Sequence, residues 1–186
     1  MGKPAVAVLA AGLGTRFGGN KLEAMCAGKP LGRWVIEAVE AAGLGPGLIV
    51  TGPVGVSFAE GWTSLVNPDP QAGLGSSLAL AARLVLMGGG ESLLVLLADM
   101  PLVTPDYLRA LTAHAAPAAT YQPDGHAGVP ALLDRALLAA AARLSGDRGA
   151  GPLLRDAPLL DPPRGMLRDV DTPEDLAEAE RQLLAR

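Results

Sequence analysis

The segment LAAGLGTRFGGNK, Leu9 to Lys21, decides the reading of this chain: four glycines are interleaved with Arg16 and Lys21, directly behind the short apolar run Ala5 to Ala10. A valine-containing run of that length is what a parallel strand buried on both faces looks like. Glycines after it permit positive φ and let backbone N–H groups converge on an anion. Arg16 offers forked hydrogen bonds and Lys21 a point charge, the pair that a triphosphate requires. Spacing excludes two other phosphate loops, because a dinucleotide fingerprint needs glycine where Phe17 stands and a Walker loop needs Gly-Lys followed by Ser or Thr. The alternative is a surface loop with two solvated cations. It leaves the strand immediately before and the cation at the end without a reason.

Outward from this segment, strands alternate with helical stretches. A helix is predicted from about Pro30 to Ala42, with Pro30 at a permissive start and Gly43 just past the end. Strands follow at Gly47 to Thr51 and Thr63 to Asn67, then a helix over Leu78 to Met87 with Ser76 and Ser77 as caps, closed by Gly88 to Gly90. Ser92 to Ala98 is the most hydrophobic strand candidate and delivers Asp99 at its C-terminal end, before Pro101 stops regular pairing. Thr104 and Pro105 open a helix reaching about Ala115. Strands at Ala118 to Gln122 and Val129 to Leu133 flank the turn PDGHAG, and a helix spans Asp134 to Leu144. A short last strand is expected at Leu167 to Val170, before a capped helix from Pro173. This alternation predicts a three-layer α/β fold in one domain over residues 1–186: a mainly parallel sheet with helices on both faces and its ligand at the C-terminal strand ends.

Composition bounds the function classes. With 186 residues, 49% hydrophobic and 18% charged, the chain can bury a sizeable core unaided. Its net charge of −4 and lack of a Lys/Arg stripe give no attraction to nucleic acid. The only cysteine, Cys26, excludes an intrachain disulfide and fits a reducing compartment. Lys3 followed by PAVAVLAAG imitates a secretory leader, but the run ends in Gly-rich sequence with Arg16 and Lys21 and reads better as a first strand. No apolar stretch reaches membrane-spanning length, so the expectation is a cytoplasmic protein without membrane partners.

Two acidic segments could carry chemistry. Asp99, at the end of a buried strand, faces the place where ligands bind and could hold a hard cation such as magnesium; its other reading is a loop cap, although Thr104 already caps the next helix. In RDVDTPEDL, Asp169 and Asp171 are either helix-start acids or ligands, while Glu174 and Asp175 suit the helix dipole.

Taken in order, these pieces resemble the molybdenum cofactor nucleotidyltransferases, a branch of the sugar-nucleotide-type transferases with a Rossmann-like core. LAAGLGTRFGGNK is similar to the family's nucleotide loop, which implies nucleotide contacts from Leu9, Ala10, Ala11, Gly12, Gly14, Arg16 and Lys21. GKPL at Gly28 to Leu31 resembles its next element. NPDPQAGLGSSLALA resembles its Gly-Ser-Ser segment, which implies nucleotide contacts from Asn67, Gly75, Ser76 and Ser77, the last three near base and ribose. ADMP resembles the magnesium aspartate, Asp99; SGDRGA at Ser145 to Ala150 a family loop; and DVDTPEDL the closing motif, with Asp171 as second magnesium ligand.

The resemblance implies a reaction in which a phosphate on molybdopterin attacks the α-phosphorus of a nucleoside triphosphate and releases pyrophosphate. Arg16, Lys21 and Asp99 would be the catalytic residues and Mg2+ the cofactor. Ala11 within LAAG is similar to the cytidylyl branch, where the guanylyl branch carries a second glycine, so CTP is favoured over GTP. The partner receiving the product would be a molybdoenzyme or its chaperone. Two positions depart from the branch: Gly128-Val129-Pro130 stands where Gly-His-Pro is usual, and Gly151 replaces an arginine. His126 is either a substitute for that histidine or a solvent-exposed turn residue. Two other classes stay open. A nicotinamide-dependent oxidoreductase would need no magnesium carboxylates and would want the glycine that Phe17 displaces; a noncatalytic nucleotide-binding protein could do without Asp99.

Overall fold

The computed structural model describes residues 2–12, 14–146 and 149–186. Leu13 of the glycine loop and Asp147 and Arg148 of the SGDRGA segment lie outside the described residues. The strand that precedes the glycine loop, β1 (Ala5–Ala10), is buried from Val6 onward. It pairs in parallel with β4 (Leu48–Thr51) on one side and β6 (Ser92–Leu97) on the other, so it has no free edge. With β5 (Thr63–Val66), β7 (Ala118–Tyr121), β8 (Ala127–Asp134) and β9 (Leu159–Leu160), these form a seven-stranded sheet ordered β5-β4-β1-β6-β8-β7-β9. Only β8 is antiparallel to its neighbours. The sequence therefore leads to the observed architecture, a mainly parallel α/β sheet.

Period-two alternation divides the core. Val6, Val8 and Ala10 face one side, with α1 (Leu31–Ala41), α3 (Pro105–Ala113) and α5 (Pro173–Leu184). Ala7 and Leu9 face the other, with α2 (Leu74–Met87) and α4 (Arg135–Ala141). Alanines such as Ala81 and Ala82 let α2 lie close to the strands, which is how a chain with so few aromatics fills its interior.

Two expectations change. Leu167 to Val170 is not a strand: Pro162 and Pro163 lack N–H donors, residues 164–167 turn, and Val170 N donates once, to Asp99 O at 3.0 Å. The last strand is instead β9, which pairs in parallel with β7. Ser76 and Ser77 are not caps. Gly73, at φ 88°, turns the chain straight into α2, and Ser76 Oγ donates back to Gly73 O at 2.7 Å from inside the first turn. Short 3₁₀ turns at Thr15–Phe17 and Lys21–Glu23, and the hairpin of β2 (Met25–Cys26) and β3 (Lys29–Pro30), carry no hydrophobic periodicity and escape a pattern reading.

The long β4–β5 connection is held against α1 by the buried ring of Phe58. A Cβ on Gly32 would lie 2.2 Å from Phe58 Cζ, so the buried ring occupies the notch that glycine leaves. Gly32→Ala should destabilise the protein by roughly 1–3 kcal/mol, the usual cost of overpacking, and adding Phe58→Leu should recover part of it. Denaturant midpoints of the three proteins measure this; an unchanged Gly32→Ala midpoint would show that the ring is free to move.

Candidate functional site

β1 ends at Ala10, and the chain climbs through Ala11, Gly12 and Gly14 into the two 3₁₀ turns. Gly14 sits at φ 59°, and its carbonyl accepts from both Phe17 N at 3.0 Å and Gly19 N at 3.2 Å. Gly18 and Gly19, at φ 92° and 122°, then redirect the chain so that Lys21 enters the protein rather than solvent. Lys21 is only 7% exposed.

A buried ammonium needs counter-charges, and the end of β6 and the approach to α5 supply them. Lys21 Nζ donates to Asp99 Oδ2 at 2.7 Å and to Asp171 Oδ1 at 2.8 Å. Burial alone would lower the pKa of Lys21, but the charges and hydrogen bonds of the two carboxylates more than offset it and hold the amine protonated. Asp99 is fixed by its neighbours: Ala98 N donates to Leu9 O at 3.0 Å, and Met100 and Leu102 are buried beyond it. Arg16, largely exposed, reaches Asp171 Oδ2 at 3.4 Å.

The two readings of the closing acids separate here. Asp175 makes the capping box of α5, its Oδ2 accepting from Thr172 N at 3.0 Å while Thr172 Oγ1 accepts from Asp175 N at 3.1 Å. The Asp171 carboxylate is thereby left to Lys21 and Arg16. Asp169 keeps a side open to solvent, yet the protein packed about it, and then the charges of Asp99 and Asp171, push its carboxyl up to about 7.

A cleft of about 380 Å³ opens over these strand ends. Of the residues singled out in the sequence, it brings together Leu9, Ala10, Ala11, Gly12, Gly14, Lys21, Ser77 and Asp99. Arg16, Asn67, Gly75, Ser76 and Asp171 are not in its lining. Asn67 lies behind the wall, donating through Nδ2 to Ser76 Oγ at 2.8 Å and Ser77 Oγ at 3.0 Å and accepting from Asp69 N through Oδ1 at 3.1 Å. Gly75 N is taken by Gly146 O at 3.0 Å. Sequence reasoning missed Pro70, Gln71 and Gly73, which line the same cleft; the cluster of Pro, Gln and Gly ahead of α2 was the available signal. A larger concavity, about 1120 Å³, lies at the opposite strand ends, but its Arg135 and Glu91 pair with each other at 2.7 Å and its polar groups do not converge.

The residues present fit a hard cation. Asp99 Oδ1 is buried without a hydrogen-bond partner, a costly arrangement for a carboxylate oxygen unless something positive meets it. Among the described residues no group of three or more His, Cys, Asp or Glu forms a complete metal cage. A hard divalent cation can be held by one or two carboxylates together with substrate phosphates.

A glycine loop and an acid at neighbouring parallel strand ends define the α/β nucleotidyltransferase fold. The chain belongs to the MobA-like NTP transferase domain family, which it matches over residues 6–162. Purine catabolism protein PucB of Bacillus subtilis is 29% identical over 186 residues, 90% of this chain and 91% of PucB. Bifunctional protein GlmU of Geobacter metallireducens is 32% identical over 118 residues, 60% of this chain and 25% of GlmU, so the match spans about a quarter of that relative. Among solved structures, a nucleotidyl transferase from Methanothermobacter thermautotroptrophicus superposes with TM-score 0.82 at 22% identity, covering 100% of this chain and 99% of the other. Rv0371c from Mycobacterium tuberculosis, in complex with manganese, gives 0.73 at 21%, with 97% and 99% covered. Molybdopterin-guanine dinucleotide biosynthesis protein A from Archaeoglobus fulgidus gives 0.69 at 20%, with 98% and 100% covered. At these identities the structural likeness concerns the fold.

The raised Asp169 has a consequence for stability. An acid whose native pKa exceeds its unfolded value binds its proton more tightly when folded, so it withdraws stability as pH rises from about 4 toward 7. In metal-free buffer, wild-type stability should fall between about pH 5 and about pH 7.5 by more than that of Asp169→Asn. Parallel denaturation profiles for the two proteins would remove Asp169 as the source.

Proposed function

We propose that the chain, acting as one magnesium-dependent domain, moves a cytidylyl group from CTP to the phosphate of a molybdopterin-type acceptor and releases pyrophosphate. One observation carries the reading: Asp99, just past the end of β6 and with its Oδ1 buried and unpartnered, lines the same cleft as the glycine loop and Lys21. Membership of the NTP transferase family supports the nucleotide, and the manganese complex of a protein of the same fold supports a divalent metal.

In this reading Leu9 to Gly14 line the nucleotide cleft, Lys21 and Arg16 offset charge on the phosphates and departing pyrophosphate, and Asp99 with Asp171 holds magnesium. Magnesium, when bound, supplies Lewis-acid neutralisation of the phosphate oxygens. The acceptor oxygen forms the new bond to the α-phosphorus as the bond to the β-phosphate oxygen breaks, so no side chain need become covalently attached. Asn67 acts through Ser76 and Ser77, which it holds at the start of α2. Ala11 and the Gly-Ser-Ser segment favour CTP; the Archaeoglobus protein, a molybdopterin-guanine dinucleotide biosynthesis protein, supports a molybdopterin acceptor and makes GTP the second reading.

The two departures from the family pattern also have places. Gly151 packs against the start of β8, where a Cβ would meet Ala127 O at 3.4 Å, and Val129 lies within β8, its carbonyl accepting from Gln122 Nε2 at 3.0 Å, with His126 exposed in the turn before that strand. No described helix is long and apolar enough to cross a membrane. The reading expects a cytoplasmic protein, whose product a molybdoenzyme or its chaperone would take.

Pyrophosphate release from CTP, GTP, ATP and UTP, with magnesium and with or without molybdopterin, tests the reading. Acceptor-dependent release is expected with CTP; dominance of GTP would assign the guanylyl reaction, and no release with any pair would overturn the transferase. Asp99→Asn should lower kcat at least about 100-fold with the fold retained, as loss of several kcal/mol of metal-borne charge stabilisation requires. Lys21→Ala should weaken binding of CTP far more than of cytidine, and equal losses would contradict its phosphate role.

A further inference from the structure

The ammonium of Lys21 and a divalent cation have claims on the same oxygens. Lys21 Nζ holds Asp99 Oδ2 at 2.7 Å and Asp171 Oδ1 at 2.8 Å, and Arg16 reaches the other oxygen of Asp171 at 3.4 Å. Among the described residues, only Asp99 Oδ1 of these two carboxylates meets no donor. An ammonium at hydrogen-bond distance from an oxygen of each carboxylate fills the place between them. A dication that used both carboxylates would have to displace it, because the lone pairs are already engaged and the two cations repel. Charge leads to the same result. Asp99 and Asp171 are matched by Lys21 and Arg16, so a dication arriving alone leaves an excess of positive charge, which a triphosphate cancels.

We propose that Lys21 is a built-in counter-ion that closes the carboxylate pair to a free divalent cation and releases it when nucleotide phosphates draw the ammonium into the cleft, so that metal and nucleotide enter together; this rests on the transferase reading above. The side chain stands at the boundary the exchange requires. Lys21 is held by the two carboxylates and also lines the nucleotide cleft with Gly12 and Gly14. Its stem runs past the bare Cα of Gly14, where a Cβ would lie 3.5 Å from Lys21 Cγ.

The backbone beneath that stem is anchored, which confines the exchange to the side chain. Ala24 N donates to Lys21 O at 3.1 Å, and the Glu23 carboxylate accepts from Ser57 N and from Ser57 Oγ, both at 2.6 Å. A lysine stem has four carbons and a head that forms hydrogen bonds in any direction, so it can pass from carboxylate to phosphate without moving the turn. Arg16 differs. It is largely exposed and meets Asp171 from the solvent side, where an ion pair contributes little.

The test uses the full chain and Mn2+, whose EPR signal reports binding without turnover. With no nucleotide present, Lys21→Gln should bind Mn2+ about tenfold more tightly than wild type, the gain from removing a charge-assisted competitor, while Arg16→Gln should change it less than about threefold. The wild-type chain supplies a second readout that needs no variant. Acetylation of Lys21 by acetic anhydride, followed by mass spectrometry, should rise severalfold when Mn2+ saturates the protein and fall again when CTP joins it, with Lys3 and Lys29, the other lysines, unchanged. Equal Mn2+ affinity in wild type and Lys21→Gln, a gain as large in Arg16→Gln, or Lys21 reactivity indifferent to Mn2+ would each overturn the counter-ion role, even if pyrophosphate is released from CTP. Tighter Mn2+ binding in Lys21→Gln and a metal-dependent footprint, in a chain that releases no pyrophosphate from any nucleotide, would uphold the exchange and overturn the transferase reading.

Discussion

The buried ammonium of Lys21, shared between Asp99 and Asp171, is the interaction on which the arrangement of this protein turns. Three distant parts of the chain meet at one nitrogen: the glycine loop after β1, the end of β6 and the approach to α5. A lysine this buried would be costly without both partners, and two carboxylates this close would repel each other without the lysine. Each group therefore makes the position of the others tolerable. The paired oxygens are satisfied, and the one left over, Asp99 Oδ1, is the atom for which the protein itself offers no partner.

That junction exists because the sheet delivers its strand ends in register. β1 and β6 pair through five consecutive residues, Ala5 with Leu93 to Leu9 with Leu97, and Ala98 N adds one more bond to Leu9 O. A slip of one residue would turn Asp99 toward the opposite face and put the apolar residues of β6 on the wrong layers. Register here is set by burial on both faces. The glycine loop can consequently be irregular without moving its ends.

Capping chemistry at α5 decides which acid is spare. Thr172 and Asp175 satisfy each other and the first backbone donors of the helix, so Asp171 contributes its backbone N–H to the cap but keeps its carboxylate for the cations. The same helix is tied to the β2–β3 hairpin, where Ala27 N donates to Glu180 Oε1 at 2.7 Å. Ala27 and Gly28 both have positive φ, as a two-residue hairpin turn requires. Through that hairpin the last helix braces the segment immediately after Lys21, so both ends of the chain support one junction.

The fold was legible in the sequence because its signals are local and strong: continuous apolar runs at Ala5 to Ala10 and Ser92 to Ala98, proline at helix starts, and glycine past helix ends. The glycine loop and the strand-end acid were legible for the same reason. Other features depend on partners remote in sequence, which no window of residues contains. Asp171 reads equally as a helix-start acid or as a ligand, and only the packing of Lys21 and Arg16 against its carboxylate separates the two readings. Ser76 and Ser77 carry the composition of caps, yet Gly73 starts the helix and Asn67 holds the serines in place. β9 has two residues and becomes a strand solely by pairing with β7, too short to leave a periodic trace. Local patterning along the chain sets the layers, the glycine loop and the acids available; which acid each cation meets follows from packing, because burial and pairing act between atoms brought together across the whole chain.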